Sequence, residues 1–111
     1  MPVEIHIKSN RFAQIARQFH DEAREVIRKT TFDVEARAKQ LVPVDTGLLR
    51  NSIQSEFESD LVGIVFTNTK YAPFVEYGTS RMSAQPYMTP ALESQRSPFI
   101  RALQTIGNRL R

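Results

Sequence analysis

Few residues in this chain have the types and spacing that chemistry requires. Its two histidines are His6, on a stretch that alternates apolar and charged residues, and His20, on a long amphipathic stretch. A metal site built on them would need a carboxylate from elsewhere, and no spacing motif supplies one. Asp45 is a lone acid whose neighbours Pro43, Thr46 and Gly47 give it the surroundings of a helix cap. No Gly-x-Ser-x-Gly elbow occurs, and Gly47, Gly63, Gly78 and Gly107 stand singly, which leaves no serine nucleophile, phosphate loop or dinucleotide turn. The absence of cysteine excludes disulfides, thiolate zinc, iron–sulfur clusters and cysteine nucleophiles. The expectation is a protein that is not an enzyme and that uses no cofactor and no metal.

The arginines offer different chemistry. Arg96, Arg101, Arg109 and Arg111 lie on or beside the last predicted helix, and no acid follows Glu93. Arg101 and Arg109 are eight residues apart, a little over two helical turns, so they share a face that could meet phosphates. The alternative reading is therefore a small DNA-binding protein using its C-terminal arginines; the plainer one is a solvated face opposite Phe99, Leu103, Ile106 and Leu110. No helix-turn-helix, zinc-finger or base-stacking pattern favours DNA. Net charge is +3, distributed as +2, −3 and +4 over residues 1–42, 43–78 and 79–111. That polarity suits a subunit whose opposite faces meet in an assembly as well as it suits DNA. No run of about 18 apolar residues occurs, and the first residues alternate instead of forming a signal-peptide core, so neither a membrane span nor export is expected.

The elements that would position these residues follow from periodicity. Val3, Ile5 and Ile7 alternate with Glu4, His6 and Lys8, which predicts a short strand. Ser9 and Asn10 can cap a helix whose apolar positions run Phe12, Ile15, Ala16, Phe19, Ala23, Val26, Ile27, Val34, Ala38 and Leu41, with one gap of seven across Thr30 and Thr31, the expected kink. Glu25 with Lys29, Asp33 with Arg37, and Glu35 with Lys39 are acid-before-base pairs for its wet face. Pro43 ends that helix. After a capped turn through Leu48 and Leu49, residues 51–58 and 61–67 read as a hairpin around Ser59 and Asp60, the second strand too apolar for an exposed edge. Gly63 within it predicts a bulge or a close backbone approach. Pro73 suits the first turn of a short aromatic helix, and Gly78 a left-handed cap at its end. Residues 79–90 have the composition of a loop, either mobile or functional. Thr89 as cap and Pro90 as first residue open a C-terminal helix, kinked or split near Ser97 and Pro98.

Three segments in order carry a resemblance: Val42-Pro-Val-Asp-Thr-Gly-Leu-Leu-Arg-Asn-Ser-Ile53, Tyr71-Ala-Pro-Phe-Val-Glu-Tyr-Gly-Thr79 and Gln85-Pro-Tyr-Met-Thr-Pro-Ala-Leu-Glu93. With the preceding helix, over roughly residues 10–95, they resemble the small tail-component family of long-tailed bacteriophages and prophages, which includes relatives of the lambda minor tail protein Z. The resemblance implies a non-catalytic virion structural protein of the neck or upper tail. It would act in tail completion or head–tail joining as an α+β ring-former, commonly of six copies, alongside other phage neck and tail proteins. It would be made and assembled in the host cytoplasm.

The expected fold is α+β: one domain over residues 1–111, with a long N-terminal helix packed on a small antiparallel sheet, a short aromatic helix, and a basic C-terminal helix over about residues 90–111. Pro43, Asp45, Gly47, Gly78 and Pro90 are expected to set turns and caps, sending Leu48, Leu49 and Ile53 into the core. Tyr71, Phe74, Glu76, Tyr77, Arg81, Met82, Tyr87 and Met88 are the candidate subunit interface, aromatics and methionines being enriched in interface cores. Glu76 is expected to pair with Arg50 or Arg81. Asp45, Glu56, Glu58, Asp60 and Glu76 form the expected acidic face, whose stacking on the arginines should weaken with salt.

Overall fold

A helix with an apolar stripe must bury it, and the first helix does so along two separate partners. The computed structural model describes residues 10–43 and 47–110; the predicted strand 3–8 with His6, and also Ser9, Asp45, Thr46 and Arg111, lie outside the described residues. Helix α1 (Asn10–Leu41) is followed by α2 (Leu48–Ser52), β1 (Gln54–Ser59), β2 (Val62–Phe66), α3 (Ala72–Tyr77) and α4 (Met88–Arg109). The architecture is α+β, with α1 across a two-stranded antiparallel sheet and α4 against α1. At 1.5 Å per residue α1 is about 48 Å long, longer than a compact domain of this size is wide.

One end of α1 carries the main core, where Val34, Ala38 and Val42 meet Leu49, Ile53, Ala72, Tyr87 and Ala91. Toward its other end Ala23 and Ile106 are buried, and Glu22 pairs with Arg109. Contacts of α1 residues 38 and 22 with α4 residues 91 and 109 mean that the two helices run antiparallel. Leu49 and Ile53 enter the core as expected, whereas Leu48 points out.

The gap in the stripe has a structural cause. The helix is continuous through Thr30 and Thr31, and the buried Thr31 hydroxyl donates to the Ile27 carbonyl at 2.7 Å. Against it lies Gly63: a Cβ there would stand 2.0 Å from Thr31 Oγ1 and 3.0 Å from its Cβ. A small residue on the helix and none on the strand let β2 approach. The strand register also shifts between Phe57, opposite Gly63, and Ser59, opposite Val62, so the extra residue of the bulge is Glu58 on β1, and Gly63 itself marks the close approach.

Polar ties fix the hairpin on α1. Glu35 accepts from Ser55 Oγ at 2.7 Å and pairs with Lys39 at 3.3 Å. Asp60 at the hairpin tip meets His20 at 3.3 Å and Arg24 at 3.6 Å. Arg28 covers the Phe57 ring at 4.4 Å, and Phe32 packs edge-on to it. Lys29 pairs with Asp33 at 2.7 Å, one turn beyond the expected Glu25, and Arg37 bonds Gln40. Helix α4 is one continuous helix with Pro98 inside it, so the expected split does not occur.

Candidate subunit interface

Pro73 in its first turn lets α3 start at Ala72, and Gly78 ends it with φ 77° and ψ 177°, which is not the expected left-handed cap but an extended positive-φ conformation open essentially to glycine alone. A Cβ at Gly78 would also stand 2.7 Å from the Ala84 backbone nitrogen. The six-residue helix therefore has two opposed faces. Ala72, Val75 and Glu76 turn inward, while Tyr71, Phe74 and Tyr77, spaced by three, fan over the outer face. Tyr77 is 78% and Phe74 54% exposed; Tyr71 and Met82 are also exposed, with Met82 on the turn folded against Gly78. Arg81 is exposed on the same turn.

Residues 78–87 are bonded into a fixed path. Thr79 N donates to the Met82 carbonyl at 2.8 Å, and Thr79 Oγ1 accepts from Arg81 N and Met82 N. Gln85 N then donates to the Val75 carbonyl of α3 at 2.8 Å. Beyond it α4 begins at Met88 with Tyr87 as N-cap, which places Pro90 at the third helical position instead of the first.

Glu76 closes this arrangement. Its Oε1 accepts from Tyr87 N at 3.0 Å and Met88 N at 2.8 Å, and its Oε2 from Thr89 N at 3.2 Å. A helix start leaves four backbone N–H groups without partners. Three of these end on one carboxylate, and the fourth position is Pro90, which has no N–H. The helix dipole favours a negative charge at that end. Burial pushes the Glu76 pKa up, but hydrogen bonds from the backbone of Met88, Tyr87 and Thr89 and from the Thr89 side chain outweigh it, leaving the pKa below its ordinary 4.5. Burial, with the Glu76 charge and Tyr71 beside it, holds the Tyr87 phenol above its ordinary value.

Three expectations are corrected by this geometry. Glu76 is 6% exposed and serves as a remote cap in place of an ion pair with Arg50 or Arg81, so it also leaves the expected acidic face. Tyr87, 1% exposed, packs in the core of its own chain because its backbone is drawn in by Glu76, and Met88 packs beside it, half-buried. The exposed part of the candidate interface is Tyr71, Phe74, Tyr77, Arg81 and Met82. Sequence reasoning missed the capping role because a residue eleven to thirteen positions upstream of the helix start has no local pattern.

The remaining candidates are dispersed. Gly47, with φ 77°, precedes α2 as its N-cap, and Pro43 follows the end of α1. Arg96 pairs with Glu93 at 3.6 Å, and Arg109 reaches across to Glu22, so of the three described candidate arginines only Arg101 has no acidic partner. Among the described residues no group of three or more His, Asp or Glu could hold a metal ion, and no helix is long and apolar enough to cross a membrane.

Fold and surface together define a class: a small α+β chain built, among the described residues, on an antiparallel helix pair and one hairpin, with a buried carboxylate used for capping and the α3 aromatics Tyr71, Phe74 and Tyr77 turned outward. The chain belongs to the family described as "Bacteriophage HK97-gp10, putative tail-component", whose model matches residues 9–78, more than half of its length. It is a phage tail component, and its partners include other phage proteins. The matched span covers α1 to α3 and ends at Gly78. No curated protein and no solved structure matches the chain.

Proposed function

We propose that this chain is a non-enzymatic virion structural protein that completes the tail or joins it to the head, as a closed ring of six copies in the neck or upper tail. The observation that carries the reading is the outer face of α3. Tyr71, Phe74, Tyr77 and Met82 form an exposed set of the residue types that dominate interface cores, held rigid by Pro73, Gly78 and the Glu76 cap. A rigid aromatic surface loses little side-chain entropy on association. DNA contact, if made in the particle, is non-specific, since no base-reading motif accompanies the arginines, and Arg96 and Arg109 already have acidic partners that compete with phosphate.

The test is phage assembly with Phe74→Glu or Tyr77→Glu, both outside the chain's own core. Each should leave the subunit folded and weaken ring association at least about 30-fold, the effect of losing about 2 kcal/mol at a hot spot. Electron microscopy should then show separated heads and tails. Normal particles from both variants would remove α3 from the interface. Intact particles that lose DNA on substitution of Arg101 would favour the DNA-binding alternative.

A further inference from the structure

The aromatic face of α3 is rimmed by charge of one sign. From residue 67 to residue 87 the charged residues are Lys70, Glu76 and Arg81. Glu76 is buried against the start of α4, so the charge left around the exposed Tyr71, Phe74 and Tyr77 is that of Lys70 and Arg81, both exposed. Neither has an acidic partner among the described residues. The hairpin has the opposite composition. From residue 52 to residue 66 there is no basic residue, and the acids are Glu56, Glu58 and Asp60. Asp60 is engaged by Arg24 and His20 of its own chain, whereas Glu56 and Glu58 are exposed and have no ion pair among the described residues.

Those carboxylates flank an apolar row. Ser55 and Phe57 face α1, the first through Glu35 and the second through Arg28 and Phe32. Alternate strand residues point to opposite faces, so Gln54 and Glu56 lie on the face turned away from α1. Directly opposed residues share a face, which adds Phe66, opposite Gln54, and Ile64, opposite Glu56, both half-buried. The aromatic ridge of α3 fits this row in length: Tyr71 to Tyr77 rises about 9 Å at 1.5 Å per residue, and Val62 to Phe66 runs about 13 Å. Within one chain the two surfaces do not meet, since Phe74, Tyr77, Glu56 and Glu58 are all exposed. An apolar ridge with a cationic rim and an apolar row with an anionic rim are complementary across two copies, and such complementarity sets register and partner choice.

We propose that the outer face of α3 docks on the outer face of the β1–β2 hairpin of a second copy of this chain, with Lys70 and Arg81 set against Glu56 and Glu58. The inference rests on the ring reading and names the surface that α3 meets there; a contact between two different faces is heterologous and closes when repeated around a ring. Charge reversal tests it in full-length chains. Lys70→Glu with Arg81→Glu makes both surfaces acidic, and Glu56→Lys with Glu58→Lys makes both basic. The four positions are exposed, so each double variant should keep the far-ultraviolet circular dichroism of wild type. Its ring association at low salt should weaken at least about 10-fold, because like charges then oppose each other. Mixed in equal amounts, the two variants should form rings in which they alternate, and a chain carrying all four substitutions should form rings by itself, both read as mass by light scattering. The absence of cysteine allows a second measurement that leaves these cations in place. A Tyr77→Cys chain should form a mixed disulfide with a larger, tagged Glu56→Cys chain at least about 10-fold more than with a tagged Gln104→Cys chain. Rings unaffected by either reversal, a loss that neither mixing nor combination restores, or cross-linking no better than at Gln104 would each overturn the inference and leave the ring reading standing; the α3 face then meets another surface. A wild-type chain that forms no ring, alone or on tail tubes, overturns both.

Discussion

Removing the Glu76 carboxylate should destabilise the fold more than most single changes, and by a mechanism that pH can isolate. Glu76→Ala leaves the Tyr87, Met88 and Thr89 N–H groups without their acceptor in a place where Tyr87 is fully buried. Hydrogen bonds to a charged group contribute about 1.5–3 kcal/mol each, but the three share one carboxylate and two of the donors can recover water. Loss of a helix cap alone costs about 0.5–2 kcal/mol. A total near 3 kcal/mol follows, which at about 2.1 cal/mol/K per residue lowers the Tm by about 13 °C. Glu76→Gln keeps the shape but replaces one acceptor oxygen by a donor facing an N–H, and should cost about 2 kcal/mol. The pH dependence has a definite sign. The folded-state pKa lies below the ordinary 4.5, so the unfolded chain binds the extra proton as pH falls. The Glu76 contribution is complete above about pH 5 and is lost below 4.5 as the folded carboxyl titrates. Thermal unfolding followed by circular dichroism between pH 7 and pH 3 measures both effects. Glu76→Gln should have the shallower acid limb. A Tm within about 2 °C of wild type for Glu76→Ala, or an unchanged acid limb in Glu76→Gln, would refute the capping account.

Other substitutions test the remaining parts of the fold. Gly63→Ala drives a Cβ into Thr31 and should cost about 2 kcal/mol in urea unfolding, with Thr31→Ala in the same chain restoring part of it because the 3.0 Å contact to the Thr31 Cβ remains. Failure of that rescue would place the strain elsewhere. Gly78→Ala combines a conformation only glycine adopts with a 2.7 Å approach to the Ala84 nitrogen. It should cost at least about 2 kcal/mol and increase proteolysis within residues 78–87; an unchanged cleavage pattern would contradict the fixed path. Asp60→Asn removes the exposed ion pair with Arg24 and the carboxylate contact to His20 at the hairpin tip and should cost under about 1 kcal/mol, a small effect that weakens in high salt.

Much of this fold is legible as periodicity. The stripe of α1, the hairpin and the end of α3 at Gly78 follow from spacing and from what proline and glycine do to a backbone, although Gly78 takes an extended positive-φ conformation in place of the left-handed one. The gap at Thr30 and Thr31 suggested a kink because β-branched residues weaken a helix, but the same smallness that interrupts the stripe admits Gly63. That reason is visible only with the strand in place. Pro98 suggested a break in α4, yet the helix continues through it, packed on α1. The candidate interface was half legible. Composition identified the aromatic cluster, but burial sorts Tyr87 inward and Tyr77 outward, and the sorting depends on where Glu76 meets the α4 start. A contact between residues 76 and 88 has no local signature, and the same is true of the Glu22 to Arg109 pair, 87 positions apart.

The measurement that bears most directly on the ring account is the solution mass of the purified chain by light scattering, over a range of concentrations and at low and high salt. The account predicts a discrete species at six times the 12.7 kDa subunit, retained at high salt because apolar contacts hold it. A mass of one subunit under every condition, with tail tubes present as well as absent, would contradict it.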